Sequence, residues 1–178
     1  MKTQRQMEAT DQRTNYYWER LRKYGKRYKN FHWSSSELVL NLIYTHDVFF
    51  SRALRIFSEL NLSVSGMNIL IILKHDEDTG RTQQELSSLL LVSRANITKV
   101  IDGLEKRGLV IRTSSKKDRR ARVIKLTSAG EKLADHIIPI QNKASVQIAA
   151  GLSQEEKKLL SKLLAKFRKS IIESEEIK

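Results

Sequence analysis

Proline interrupts this chain once, at Pro139, and only seven glycines are spread over its 178 residues. A fold of many short strands needs turn residues at intervals of roughly 8–12 positions. Punctuation this sparse argues for a mainly helical chain instead. The length is that of one domain or a little more, enough to bury a core without cross-links. Cysteine is absent, which excludes disulfide frameworks, zinc ribbons, iron–sulfur ligation and thiol-based redox sensing. The opening MKTQRQMEATDQR has no apolar leader core, and 18 consecutive apolar residues occur nowhere. A soluble, cytoplasmic protein without a membrane partner is therefore expected.

Four S/T-x-x-E strings stand before apolar-periodic stretches: Ser34 with Glu37, Thr82 with Glu85, Ser128 with Glu131 and Ser153 with Glu156. In such a string the hydroxyl accepts from the third helical N–H and the Glu reaches back to the N–H of the cap residue. Ser170 with Glu173 also matches but lies inside a helical pattern. From Glu37, the positions Leu38, Leu42, Thr45, Phe49, Ala53, Ile56, Phe57 and Leu60 keep helical spacing. Ser65 to about His75 is apolar all round, the mark of a buried helix. After the polar stretch HDEDTGR, short helices are expected over Thr82–Leu91 and Ser93–Arg107, the second stopped by Gly108. The period then changes. Val110–Ser114 and Arg122–Leu126 read as strands joined by the polar loop SKKDRRA, a hairpin. A long helix from Ser128 to about Ala150 should be kinked or divided by Pro139, and a last helix runs from Ser153 to about Glu175.

Before residue 34 stand seven of the twelve aromatic residues. Tyr17, Leu21, Tyr24, Tyr28 and Phe31 would share one face of a helix, with Arg20, Arg22, Lys23, Lys26, Arg27 and Lys29 largely elsewhere. Such a stripe reads first as a packing surface; an additional nucleic-acid arm and a wall of a ligand pocket are the alternatives.

The formal net charge is +13, and it is unevenly placed. Residues 1–33 carry nine basic and three acidic side chains, and residues 112–125 carry seven and one, so each segment is +6. The other 131 residues are almost neutral. A local field of that kind suits a polyanion, although an isolated basic run is commonly just a solvated surface.

What gives the second run its meaning is its setting. Two short helices joined by little more than Val92 and followed by a basic hairpin make a helix-turn-helix with a wing. In the second helix Ile97, Val100, Ile101 and Leu104 form the inward stripe, which leaves Arg94, Ala95, Asn96, Thr98 and Lys99 for a major groove. Arg suits guanine, Asn suits adenine, and the small Ala allows close approach or contact with a thymine methyl. Ser93 stands where its hydroxyl and the first N–H groups meet a phosphate. In the loop, crowded cations repel one another unless a polyanion neutralises them, and Asp118 can hold a neighbouring Arg extended toward a narrow minor groove.

The continuous string VSRANITKVIDGLEKRGLVIRTSSKKDRRARVIKLTSAGEKL resembles the MarR family of bacterial transcriptional regulators. It holds a similar recognition helix, the L-E-K-R-G-L-V helix end, D-x-R at Asp118 and Arg120, and the exit through Ile124, Leu126, Thr127 and Gly130. The resemblance implies a mainly α chain with a small β-hairpin wing: a winged helix-turn-helix over 63–127 and a helical dimerisation domain from 34–62 and 128–178. Residues 1–33 would be a basic, aromatic extension. It further implies a homodimer on a pseudo-palindromic double-stranded operator, with Arg120 entering the minor groove and Asp118 orienting it. Ser93, Arg94, Asn96, Thr98 and Lys99 carry over as major-groove or phosphate contacts, and Lys117, Arg119 and Arg122 as phosphate contacts.

Proteins similar to this one release DNA when a small, often aromatic or anionic, effector binds. A candidate lining is His46, Phe49, Phe50, Met67, Leu70 and Ile71, each of which is equally at home in a plain core, and His46 beside Asp47 could be a surface pair. The expected function is a ligand-released repressor without cofactor or metal. An enzyme is disfavoured, because no Gly-rich phosphate loop is present and His32, His46, His75 and His136 lack metal spacing. A metal-responsive regulator would need a cluster such as His75, Asp76, Glu77 and Asp78, which also reads as a solvated helix end. A sequence-neutral, chromatin-like nucleic-acid binder is the other alternative raised by the pI of about 10.0.

Overall fold

Ser63, Thr82, Ser93, Thr127 and Ser153 each sit in extended backbone and accept a hydrogen bond from the N–H three residues on. These hydroxyls set the starts of five helices in the computed structural model, which describes residues 12–76, 79–114 and 122–174. In chain order the elements are α1 (Gln12–Tyr24), a 3-10 turn (Gly25–Arg27), α2 (Trp33–Ser58), α3 (Val64–His75), β1 (Arg81–Thr82), α4 (Gln83–Leu90), α5 (Arg94–Lys106), β2 (Val110–Ser114), β3 (Arg122–Leu126), α6 (Ser128–Ile148) and α7 (Gln154–Glu173). The mainly helical class with one small antiparallel sheet is as expected, and β2 and β3 have the expected bounds.

The caps are not all where the strings put them. Reciprocal capping boxes form at Thr82–Glu85 and Ser153–Glu156. Ahead of α6 the cap is Thr127 rather than Ser128, and Gly130 N donates to it. Ser34 lies one residue inside α2, whose start is marked by Ser36 N donating to His32 O. Pro139 does not divide α6. It is exposed, so the carbonyl it leaves without an N–H partner can be met by water.

The chain divides after Asn61 into two compact units. In the first, α1 packs along α2: Arg13 pairs with Asp47 at 3.1 Å and lies 5.0 Å above the Tyr44 ring. Tyr17 and Trp18 line a small cleft with Leu40, Asn41 and Tyr44. The aromatic stripe expected along one continuous helix is broken. α1 ends at Tyr24 and the chain tightens through Gly25–Arg27, which takes Tyr28 and Phe31 off its face. The physical reason is a close approach, since a Cβ on Gly25 would meet the Phe31 ring at 2.4 Å.

In the second unit the strand order is β1-β3-β2, antiparallel throughout. Five residue pairs, from Val110↔Leu126 to Ser114↔Arg122, form the hairpin. The two-residue β1 adds an edge that the sequence reading did not contain, with Arg81 opposite Ile124. Arg81 is held there by a bidentate contact with Asp76, at 2.8 and 3.0 Å, and by Glu85 at 3.5 Å. The core is formed by Ile69, Leu70 and Leu73 of α3, Leu86 of α4, Ile97, Ile101 and Leu104 of α5, Val110, Val123 and Ile124 of the sheet, and Ala134 and Ile137 of α6. Burying side chains of this size is worth about 1.5–3 kcal/mol each before entropy is charged against it. By contrast α7 has no buried residue in twenty. Leu159, Leu160, Leu163 and Ile172 are 45–68% exposed.

Candidate nucleic-acid interface

The hinge of the helix-turn-helix is Leu91, whose φ of 51° turns the chain out of α4. Glycine is usual at such a position, because a Cβ is crowded in the left-handed region. Here the corner is closed by Ser87, whose hydroxyl donates to Val92 O at 2.7 Å while its carbonyl accepts from Val92 N at 3.2 Å. Two residues after Leu91, Ser93 caps α5.

Amphipathic spacing decides what α5 presents. Ile97 and Ile101 are fully buried and Leu104 nearly so, whereas Val100, expected inward with them, is only half-buried. On the other side Ser93, Arg94, Ala95, Asn96 and Lys99 are all exposed. Ser93 Oγ is already used as the cap, accepting from Asn96 N at 3.3 Å. Thr98 differs from its neighbours. It is half-buried, donates to Arg94 O at 2.8 Å and accepts from Gln83 Nε2 at 2.6 Å. Sequence reasoning missed Gln83, the first residue of α4, since a lone Gln just after a cap carries no periodic signal.

One cation counted in the basic run belongs elsewhere. Arg112 of β2 is an internal clamp: Nη2 donates to Asp102 at 2.5 Å, Nη1 pairs with Glu105, and its backbone N–H donates to Glu105 Oε1 at 3.2 Å. Asp102 and Glu105 lie three apart on α5, so they face β2 together. The clamp holds the guanidinium above its ordinary pKa, through the Asp102 hydrogen bond first. The outward charge of the hairpin is smaller by that one residue.

The root of the hairpin is closed by two hydrogen bonds and a close backbone approach. Thr127 Oγ1 donates to Gly108 O at 2.6 Å, and Thr127 N donates to Leu109 O at 3.1 Å. A Cβ on Gly130 would come 2.0 Å from that same Leu109 oxygen, so the first turn of α6 lies against the backbone just ahead of β2. Arg122, opposite Ser114 on the hairpin, is exposed. Lys117, Asp118, Arg119 and Arg120 lie outside the described residues.

The candidate effector residues fall in different units. His46, Phe49 and Phe50 are exposed on α2. The His46 ring stacks on Phe50 at 5.6 Å, and its Nδ1 lies 3.4 Å from Asp47, the surface pair that their adjacency allowed. In the second unit Met67 and Leu70 are core and Ile71 is half-buried. His75 and Asp76 end α3, and Asp76 is taken by Arg81. Among the described residues no group of three His, Asp or Glu could hold a metal ion, and no helix is long and apolar enough to cross a membrane.

Residues 60–121 match the family model described as MarR family. Solved structures share the fold. The transcription regulator MarR from Oenococcus oeni PSU-1 is 26% identical, with a TM-score of 0.65 over 77% of this chain and 99% of its own. MepR of S. aureus, solved as a DNA complex, is 22% identical, with a TM-score of 0.66 over 75% of this chain and 96% of its own. CouR from Rhodococcus jostii RHA1, solved with p-coumaroyl-CoA, is 20% identical, with a TM-score of 0.66 over 81% and 97%.

Proposed function

We propose that this chain, whose residues 60–121 match the MarR family model, is a sequence-specific transcriptional regulator that binds duplex DNA. The observation that carries this reading is the division of α5: Ile97 and Ile101 sit in the core while Arg94, Ala95, Asn96 and Lys99 are bare on the outer side. A helix held rigidly by one face and furnished with base-reading and phosphate-binding groups on the other is what major-groove recognition requires. Arg122 and the loop cations Lys117, Arg119 and Arg120 would add phosphate contacts, and Asp118 would orient Arg120 for a minor groove. MepR, which has this fold, was solved on DNA.

The regulator is a homodimer that reads two half-sites of a pseudo-palindrome, with residues 34–62 and 128–178 as its dimerisation domain and 63–127 as its reading head. In support, α7 carries a row of leucines and buries none of them in its own chain. A dry partner surface is the usual cover for an apolar face of that size. Light scattering should give twice the chain mass. The regulator is a repressor released by an aromatic or anionic effector, for which His46, Phe49 and Phe50 of the first unit and Met67, Leu70 and Ile71 of the second are the candidate contacts. CouR, a neighbour in fold, was solved with an aromatic acyl thioester.

Selection of bound sequences from random duplexes tests the whole reading. A two-fold-symmetric consensus, bound roughly 10³-fold or more tighter than unrelated DNA, is the expected result. Enrichment of no sequence would leave a salt-sensitive, sequence-neutral binder and remove the regulator.

A further inference from the structure

Residues 12–33 carry seven Lys or Arg against one acid, Glu19, whereas residues 34–61 carry two against three. The charge of the first unit is therefore concentrated in α1 and the turn after it. Arg20, Arg22 and Lys29 are exposed, together with Tyr16 at 50% and Tyr28 at 71%.

This surface is built. The Arg20 guanidinium lies 4.4 Å over the Tyr16 ring, which holds it on the outside of α1. Phe31 folds back onto Gly25 and packs 6.1 Å from Trp33, which in turn lies 5.8 Å from Trp18 of α1. Hydrogen bonds from Tyr28 N to Gly25 O and from Phe31 N to Tyr28 O close the turn, so Tyr28 and Lys29 stand at its apex. The apolar side of α1 is already occupied: Trp18 and Leu21 are half-buried, and Trp18 meets Leu40 and Tyr44 of α2. Among the described side chains of α1 no exposed aliphatic residue is left on the outer side, where an interfacial helix carries its apolar face. What faces outward is guanidinium, ammonium and phenol, the groups that contact phosphate oxygens without reading bases.

We infer that residues 12–33 form a second DNA-binding surface, which takes the phosphate backbone of duplex flanking the recognised operator through Arg20, Arg22 and Lys29. The inference rests on the DNA-binding reading above but concerns a different segment of the chain. Contacts of this kind add affinity that does not depend on sequence and that falls steeply with salt.

The test compares full-length protein with the triple variant Arg20→Gln/Arg22→Gln/Lys29→Gln. Binding is measured across a salt series on a duplex trimmed to the selected operator and on the same operator with long flanks. All three side chains are exposed, so the variant should keep the thermal midpoint of the parent. On long duplex its log–log salt slope should be shallower by up to about 2.7, or about 0.9 for each phosphate no longer neutralised, while affinity for the trimmed operator stays within two-fold. Equal slopes on long duplex would overturn the proposal, and so would an equal loss on both lengths, which would put the contacts inside the operator. Retention on vesicles containing an anionic phospholipid, abolished in the variant with no change in DNA binding, would assign the surface to membranes instead. If the parent prefers no sequence, the regulator reading fails by itself, and the slopes on unrelated long duplex still decide whether this surface binds DNA.

Discussion

The side-chain amide of Gln83 donates a 2.6 Å hydrogen bond to the hydroxyl of Thr98, which in turn donates one to the carbonyl of Arg94. Gln83 opens α4 and Arg94 opens α5, so this relay fixes the first turn of the outer helix against its neighbour. Gln83→Ala should cost about 1 kcal/mol of stability. It should also lower the ratio of operator to unrelated-DNA affinity, because Arg94 and Asn96 are then less well aimed. Thr98→Ser should keep that ratio and Thr98→Val should lose it. A ratio unchanged in Gln83→Ala would show that the helix holds its pose without the relay.

Arg112 has the opposite role from its sequence neighbours. Its side chain is 23% exposed and bridges Asp102 and Glu105, so Arg112→Leu leaves two carboxylates facing each other at a partly dry site. A loss of about 1–2 kcal/mol is expected in chemical denaturation, between the values for an exposed and a buried pair. The salt slope of DNA binding should not change, whereas Arg122→Ala should reduce it by about 0.9.

Base readout and charge separate by mutation. Asn96→Ala should relax preference at one operator position by about 1–3 kcal/mol if its contact is bidentate. Lys117→Ala should weaken all sequences alike. Arg120→Ala should weaken operator binding several-fold or more while the dimer mass is unchanged; intact affinity would take the wing out of the mechanism.

Gly130 is where α6 touches the backbone of residue 109. Gly130→Ala drives a methyl against Leu109 O and should destabilise by about 1–3 kcal/mol. Gly103 on α5 has nothing within 4 Å of such a methyl, so Gly103→Ala should be neutral or stabilising by up to about 1 kcal/mol. Thermal midpoints of the two variants check the pair.

Acid should weaken the edge of the sheet. The Arg81 hydrogen bond holds Asp76 below the usual carboxylate range, and the backbone N–H of Thr82, with its hydroxyl, does the same for Glu85. Groups whose folded pKa is depressed contribute stability above their unfolded pKa, about 4, and lose it as the pH falls through the folded value. The thermal midpoint should be level from pH 7 to about 5 and decline below about 4. Asp76→Asn should lower the midpoint at pH 7 and flatten the decline.

Much of the helix-turn-helix and its hairpin was legible because it follows from period and caps. Ile97, Ile101 and Leu104 recur at helical spacing, and branched residues at Val110–Ile111 and Val123–Ile124 mark strands whose bounds match. What escaped depends on partners distant in sequence. β1 is two residues long and exists only because Arg81 and Thr82 pair with β3. Arg112 reads as one more surface cation until α5 brings two acids to it. The end of α1 is set by Phe31 closing on Gly25, which no helical period encodes. At Thr127 and Ser128 two adjacent hydroxyls compete, and the one bonded to the Gly108 carbonyl is the cap.

The last helix has a consequence of its own. A twenty-residue segment with no fully buried side chain in its own chain would, in the dimer proposed above, be anchored mainly by the partner, so dilution should fray it before any denaturant is added. On the dimer proposed above, abundance would then act as an input: at low copy number, affinity for DNA would fall through mass action.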